Sequence, residues 1–141
     1  MYMRRESMPT GTPLNPDATL YETGSREVWQ STLVTSDGEA VGPVIRQVVE
    51  PEMYTIRYFV VYDLQRDRHI LVPSNTVREI TDAEVICALS LGDVQVLPPF
   101  NHAMDRHFEQ EVYQAARRTP HWIEEQAAGH ASQESEDFKE L

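Results

Sequence analysis

Between residues 54 and 73 an apolar, β-branched and aromatic run meets a charged stretch and then a second, shorter apolar run. Val and Ile are stiff at their first side-chain torsion, and with Tyr and Phe they pack well on a pleated surface. Polar turn residues between the runs make this a β-hairpin by pattern. Ile56, Tyr58, Val60 and Tyr62 point to one side and Arg57, Phe59, Val61 and Asp63 to the other. Apolar groups on both sides near Phe59 and Val61 predict a strand covered on both faces. The rest of the chain is organised around it.

Upstream, residues 26–35 alternate as a first strand, with Val28, Gln30, Thr32 and Val34 against Trp29, Ser31 and Leu33. Ser-Asp-Gly-Glu at 36–39 is a turn, because Asp and Gly supply the conformations a tight connection needs. Residues 41–49 form a second strand, and Gly42 and Pro43 near its start predict a bulge or an edge position. Downstream, 74–80 reads as a short loop or a single helical turn. Residues 82–89 alternate as a further strand, whereas 90–96 fits a helical turn and an extended strand equally. Pro98, Pro99 and Phe100 break any regular element. Residues 104–118 have the helical period, with Phe108, Val112, Ala115 and Ala116 as the apolar stripe and Glu109, Gln110, Gln114 and Arg117 away from it. Asp105 is the expected N-cap, Arg117 and Arg118 suit the negative end of the helix dipole, and Thr119–Pro120 ends the element.

The flanks differ in composition. Residues 1–25 carry Pro9, Pro13, Pro16, Gly11 and Gly24 among Ser, Thr and Asn, too little apolar surface to offset ordering entropy. Residues 123–141 are polar and acidic, with a late Phe138. The expected organisation is a mostly disordered segment 1–25, one domain over 26–122, and an acidic tail over 123–141 that is disordered or a frayed helix. Short strands at regular spacing with one late helix predict a small, mostly antiparallel β-barrel with a C-terminal α-helix and disordered termini.

Charge narrows the partners. The 141 residues hold 12 basic and 23 acidic side chains, a formal net charge of −11. Such a chain repels phosphate backbones and anionic membrane surfaces. No stretch approaches the roughly 20 apolar residues of a membrane helix, and Met1–Pro9 lacks the apolar core of a signal peptide. Cys87 is the only cysteine, so no intramolecular disulfide forms, and its apolar neighbours mark it as a small buried residue. A soluble, cytoplasmic protein is expected.

Several residues invite chemistry. His102 and His107 lie five apart, about 140° around a helix and so not on one face, and the remaining histidines have no metal-ligand spacing. They read as surface or partly buried side chains. Asp63 and Asp67 sit in the hairpin turn beside Arg66 and Arg68, a solvated turn with local ion pairs rather than an acid–base couple. No phosphate loop, nucleophile elbow or zinc-protease signature occurs, and no cofactor or metal is expected. Among the aromatics, Trp29, Phe100, Tyr113 and Trp122 stand out. Core packing is one role for them. The other is an exposed anchor built from Pro98, Pro99, Phe100, Tyr113 and Trp122, since aromatics bury much area with few rotors. Arg57, Arg66, Arg68 and Arg78 would supply a basic patch only locally.

The order of these segments resembles a known family. A strand, an Asp-Gly-Glu turn, Val-Gly-Pro-Val-Ile at 41–45, Arg-Tyr-Phe-Val-Val-Tyr at 57–62 and His-Ile-Leu-Val-Pro at 69–73 are similar to the PRC-barrel domain. That is the small β-barrel of the photosynthetic reaction-centre H subunit and of the ribosome maturation factor RimM. Leu-Ser-Leu-Gly-Asp-Val-Gln-Val-Leu-Pro-Pro-Phe at 89–100 resembles the family's Pro-Pro-aromatic segment. Arg-His-Phe-Glu-Gln-Glu-Val-Tyr and Thr-Pro-His-Trp within 106–122 resemble the ending of stand-alone bacterial members. The resemblance covers about 26–122 and implies a non-catalytic module for assembly or protein interaction, self-associating as a homodimer and docking on a protein partner. Several bacterial members are linked with stress responses. The alternatives are an RNA- or ribosome-associated factor and, ranked last, a small hydrolase or metal-dependent enzyme.

Overall fold

The computed structural model describes residues 11–15, 19–24, 30–52 and 55–127. Within them lie eight strands: β1 (Thr12–Pro13), β2 (Tyr21–Thr23), β3 (Thr32–Val34), β4 (Ala40–Glu50), β5 (Thr55–Asp63), β6 (Arg68–Pro73), β7 (Val77–Ile80) and β8 (Glu84–Cys87). Two helices follow, α1 (Leu91–Gln95) and α2 (Arg106–Ala116), and residues 121–127 form a third, α3.

β5 is the centre of the molecule. Tyr58, Phe59, Val60 and Val61 are all buried, so side chains from both faces of the strand are covered. β6 pairs with it antiparallel from Asp63↔Arg68 to Tyr58↔Pro73, as the hairpin pattern predicts. The four-residue connection takes Asp67 into the left-handed region (φ 52°), which Asp tolerates better than most residues.

β4 joins the two halves of the sheet. One side of it pairs with β5; the other pairs with β3 over Ala40–Pro43 and with β2 over Gln47–Val49. The register slips between Leu33 and Val34, opposite Gly42, which is the bulge expected there. A Cβ at Gly42 would lie 1.8 Å from the carbonyl oxygen of Tyr62, so only glycine lets the two backbones approach. β3 then pairs with β8 in parallel, and β8 with β7 antiparallel.

The result is mostly β, and every strand pairing but that of β3 with β8 is antiparallel, as expected, but closure into a barrel is not seen among the described residues. The sheet is mixed and open: among the described residues no ladder joins β6 to β7. A 3-10 turn at Ser74–Thr76 separates them, where the Thr76 hydroxyl donates to the Pro73 carbonyl at 2.7 Å.

The flanks carry more structure than their composition implies. β1 and β2 extend the sheet beside β4, and Leu14 and Leu20 are both 5% exposed within the core. Asn15 closes the arm by accepting the Thr19 N–H at 3.0 Å and donating to the Thr19 hydroxyl at 2.8 Å. Two leucines at the right spacing thus anchor a segment whose average polarity hides them. The expected boundary at residue 25, and residues 26–29 of the first expected strand with Trp29, lie outside the described residues. So do residues 128–141 of the expected acidic tail, whereas 123–127 are helical.

The ambiguous stretch at 90–96 is a helix because its first residues cap it. Ser90 accepts the Asp93 N–H at 3.1 Å, and Asp93 accepts the Ser90 N–H at 3.1 Å, a reciprocal capping box. Asp37 of the 36–39 turn adds an acceptor for the Leu91 N–H at 3.1 Å. At the other end Arg68 donates to the carbonyls of Val94 and Leu97, so the β5–β6 hairpin closes α1. For α2, Asp105 is the N-cap as expected, accepting the Phe108 N–H at 2.8 Å, and Arg117 ends the helix in the left-handed region.

Replacing Ser90 by Ala should cost about 1 kcal/mol, read as a lower urea midpoint with an unchanged slope. The Ser90 N–H holds the Asp93 carboxyl below its ordinary value of 3.8, with Arg117 assisting. A carboxyl depressed on folding stabilises fully above its ordinary value and loses that contribution as pH falls through its folded value. The penalty for Asp93→Ala should therefore shrink between about pH 6 and about pH 2.

Candidate functional site

Where α2 and α3 meet the sheet, charged and aromatic side chains converge. Thr119–Pro120 interrupts the helical path, and the Pro120 carbonyl accepts the N–H groups of Ile123 and Glu124 to start α3. Two polar clamps fix α3 on the sheet. Arg57 of β5, only 5% exposed, binds Glu50 at 2.8 Å and Glu125 at 2.7 Å. Burial works against the Arg57 charge, yet the carboxylates of Glu125 and Glu50 outweigh it and raise its pKa. Asn75 donates to Glu124 at 3.0 Å and to the Thr119 carbonyl at 3.2 Å.

Between the clamps runs a polar seam. The Tyr58 hydroxyl donates to Glu109 Oε1 at 2.6 Å, and the Glu109 residue is 3% exposed. This corrects the expectation that Glu109 lies away from the buried face of α2. Glu109, Tyr113 and Ala116 form a second buried line beside Val112, and the Tyr58 hydroxyl makes an acidic residue acceptable on it. Burial, and then the Glu109 charge, raise the Tyr58 pKa, so the phenol remains a donor. Burial likewise pushes Tyr113 up to about 12.

The aromatic rings stack outward from this seam. Tyr58 and Tyr113 lie 5.8 Å apart, and Tyr113 and Trp122 5.7 Å apart at right angles. His121 packs 5.0 Å from Trp122, and its Nε2 is 3.6 Å from Glu109 Oε1. Arg106 covers the Trp122 ring at 3.7 Å, a cation–π contact. Two depressions flank the start of α3. One, of about 200 Å³, is lined by Thr19, Leu20, Glu50, Arg106, Glu109 and His121. The other, a groove of about 380 Å³, runs between α2 and α3 past Gln110, Tyr113, Gln114, Pro120, Trp122 and Ile123.

The residues expected to form one anchor separate into two places. Tyr113 and Trp122 share the α2–α3 groove, Trp122 half-buried and Tyr113 forming the buried wall. Phe100 is 4% exposed, packed between His102 at 4.7 Å and Phe108 at 6.1 Å, so it is a core residue rather than an exposed anchor. Its N–H donates to the His69 carbonyl on β6. Pro98 is half-buried, Pro99 is exposed, and neither lines the groove. The exposed apolar residue at the groove is Ile123, at 45%. Its neighbours in sequence gave no sign of it, because the tail after 122 reads as polar.

Other expectations resolve similarly. Asp63 is buried rather than solvated, and holds Arg66 and Arg68 as local ion pairs. Tyr62 donates to Asp67. Cys87 is buried and burial raises its thiol, which keeps it a poor nucleophile. Among the described residues no three His, Cys, Asp or Glu side chains are grouped to hold a metal ion, and no helix is long and apolar enough to cross a membrane. His69 and His102, far apart in sequence, are hydrogen-bonded at 2.7 Å.

Tyr58→Phe should cost about 1–3 kcal/mol, because a buried carboxylate loses its donor. In a double-mutant cycle with Glu109→Leu, the double variant should lose less than the sum of the two single losses. Simple additivity in urea titrations would mean that the hydroxyl and carboxylate act independently.

No family model matches the chain, and no curated protein matches it.

Proposed function

We propose that this chain is a non-catalytic interaction module of the PRC-barrel kind, cytoplasmic, self-associating as a homodimer and docking a protein partner through the α2–α3 groove. The observation that carries this reading is the pairing of Trp122 with Ile123 on a short helix held to the sheet by Arg57. Interface anchors work best when a large ring is already fixed before the partner arrives. Trp122 meets that condition, set at right angles to Tyr113 and covered by Arg106, while Ile123 offers exposed apolar surface beside it.

The RNA-associated alternative has less support. Of the four arginines that would have formed a basic patch, Arg57 is buried between Glu50 and Glu125, while Arg66 and Arg68 pair with Asp63. Arg68 is further committed to the carbonyls of α1. With three of those four arginines engaged internally and only Arg78 of them exposed, an acidic protein has little left for phosphates.

Size exclusion with light scattering tests the proposal on the wild type and on Ile123→Asp. Ile123 is half exposed, so its replacement should change folding stability by less than about 1 kcal/mol. The expected result is a dimer mass for the wild type and a shift towards monomer for the variant at equal urea midpoints. A wild-type monomer, or a dimer indifferent to Ile123→Asp, would remove the groove as the self-association surface. An absorbance ratio typical of nucleic acid, abolished by salt, would favour the RNA reading instead.

A further inference from the structure

The loop between α1 and α2 straps the N-terminal arm to the sheet. The Phe100 N–H donates to the His69 carbonyl on β6, and the Met104 N–H donates to the Leu14 carbonyl on the arm. Between them His102, in the left-handed region at φ 66°, spans the same gap with its side chain. His102 Nδ1 lies 2.6 Å from Glu22 Oε1 on β2, and His102 Nε2 lies 2.7 Å from His69 Nδ1 on β6. Glu22 is 5% exposed, and its other oxygen faces Arg46 Nε of β4 at 3.3 Å. From β5 the Tyr62 ring meets His69 edge-on at 5.8 Å, with its hydroxyl committed to Asp67. The Phe100 ring lies against His102.

We propose that Glu22, His102 and His69 form a proton-counting latch, which holds β1 and β2 on the sheet through one added proton and releases them at the second. Hydrogen-bond stoichiometry gives the count. With both rings neutral, His102 donates its Nδ1–H to Glu22 and its Nε2 lone pair accepts the Nδ1–H of His69. One added proton leaves both bonds in place. It resides on either ring, and transfer across the 2.7 Å contact only exchanges which histidine is the cation. The single positive charge faces the Glu22 carboxylate.

A second proton has no such accommodation. Both rings become imidazolium, and the 2.7 Å contact then sets an N–H against an N–H and a cation against a cation. Glu22 carries one negative charge, already shared with Arg46, so the doubly protonated cluster holds three cations against one anion. Relief comes from moving the loop off β6, which also strains the Met104–Leu14 hydrogen bond and the seat of Glu22. Burial first, and then the facing His102, hold the His69 pKa below its ordinary 6.5. A histidine depressed on folding stabilises fully above its ordinary value and loses that contribution as pH falls through its folded value. The latch therefore loosens on acidification.

Ring-nitrogen NMR of the full chain, titrated from about pH 8 to about pH 4, tests the count. The His69–His102 pair should take up its two protons in two separated steps. Amide protection at Leu14 and over 21–23, corrected for intrinsic exchange, should hold through the first step and fall at least tenfold through the second. His69→Phe removes one cation while keeping a ring, and should abolish that acid-dependent loss. Independent single-step titrations of the two rings would overturn the proposal. So would arm protection that stays constant through the second step, or a loss that persists unchanged in His69→Phe.

Discussion

A carboxylate inside a protein must find donors, and Glu109 finds its donor on the central strand. The hydrogen bond from Tyr58 crosses 51 residues of sequence and ties the C-terminal helices to β5. Without it, the buried carboxylate would subtract about 1–3 kcal/mol from what the apolar neighbours on that line of α2 return. The position of α2 then sets that of Tyr113, Tyr113 sets Trp122, and the Arg57 clamp fixes the angle of α3. The groove is in this sense a consequence of satisfying one buried acid.

The parts of the fold that were legible in sequence are those governed by local rules. The β5–β6 hairpin followed from alternation and a charged turn. Asp105 followed from the preference of short acceptors for helix N-termini, and the bulge near Gly42 from the Gly-Pro pair. The hidden parts depend on partners distant in sequence. Nothing near Glu109 announces Tyr58, and nothing near His69 announces His102. The Ser90–Asp93 box could have been noticed, since Ser-x-x-Asp before an apolar run is a cap pattern; the mixture of β-branched and small residues after it obscured the helix. The arm carrying Leu14 and Leu20 was lost to averaging, because two apolar anchors among prolines and threonines do not change a composition. The parallel pairing of β3 with β8 has no local signature at all.

Groove and latch occupy different attachments to the same sheet. α3 is an addition at the C-terminal end, held by the ion pair of Glu125 with Arg57 and by hydrogen bonds donated by the Asn75 side chain. The β1–β2 arm is an addition at the N-terminal end, held by Glu22 and the strap over β6. The strands between them bury Val41, Val44 and Val48 on β4, an unbroken run over Tyr58, Phe59, Val60 and Val61 on β5, and Ile70, Leu71 and Val72 on β6. Polar contacts thus add to the apolar anchors of the peripheral pieces, Leu14 and Leu20 on the arm and Trp122 on α3, whereas packing governs the centre. Solution conditions that alter charge should act on the former and spare the latter.

Gly42 bears on how relatives of this chain would be recognised. Its missing side chain leaves room for the Tyr62 carbonyl, whereas apolar residues in the central strands can exchange among shapes of similar volume. In a diverged sequence the valines of β4 and β5 would blur into any β-rich pattern, while Gly42 would admit a single letter. A glycine two residues into the long strand, registered against the end of the following one, is thus a more durable signature of the architecture than the hydrophobic core itself.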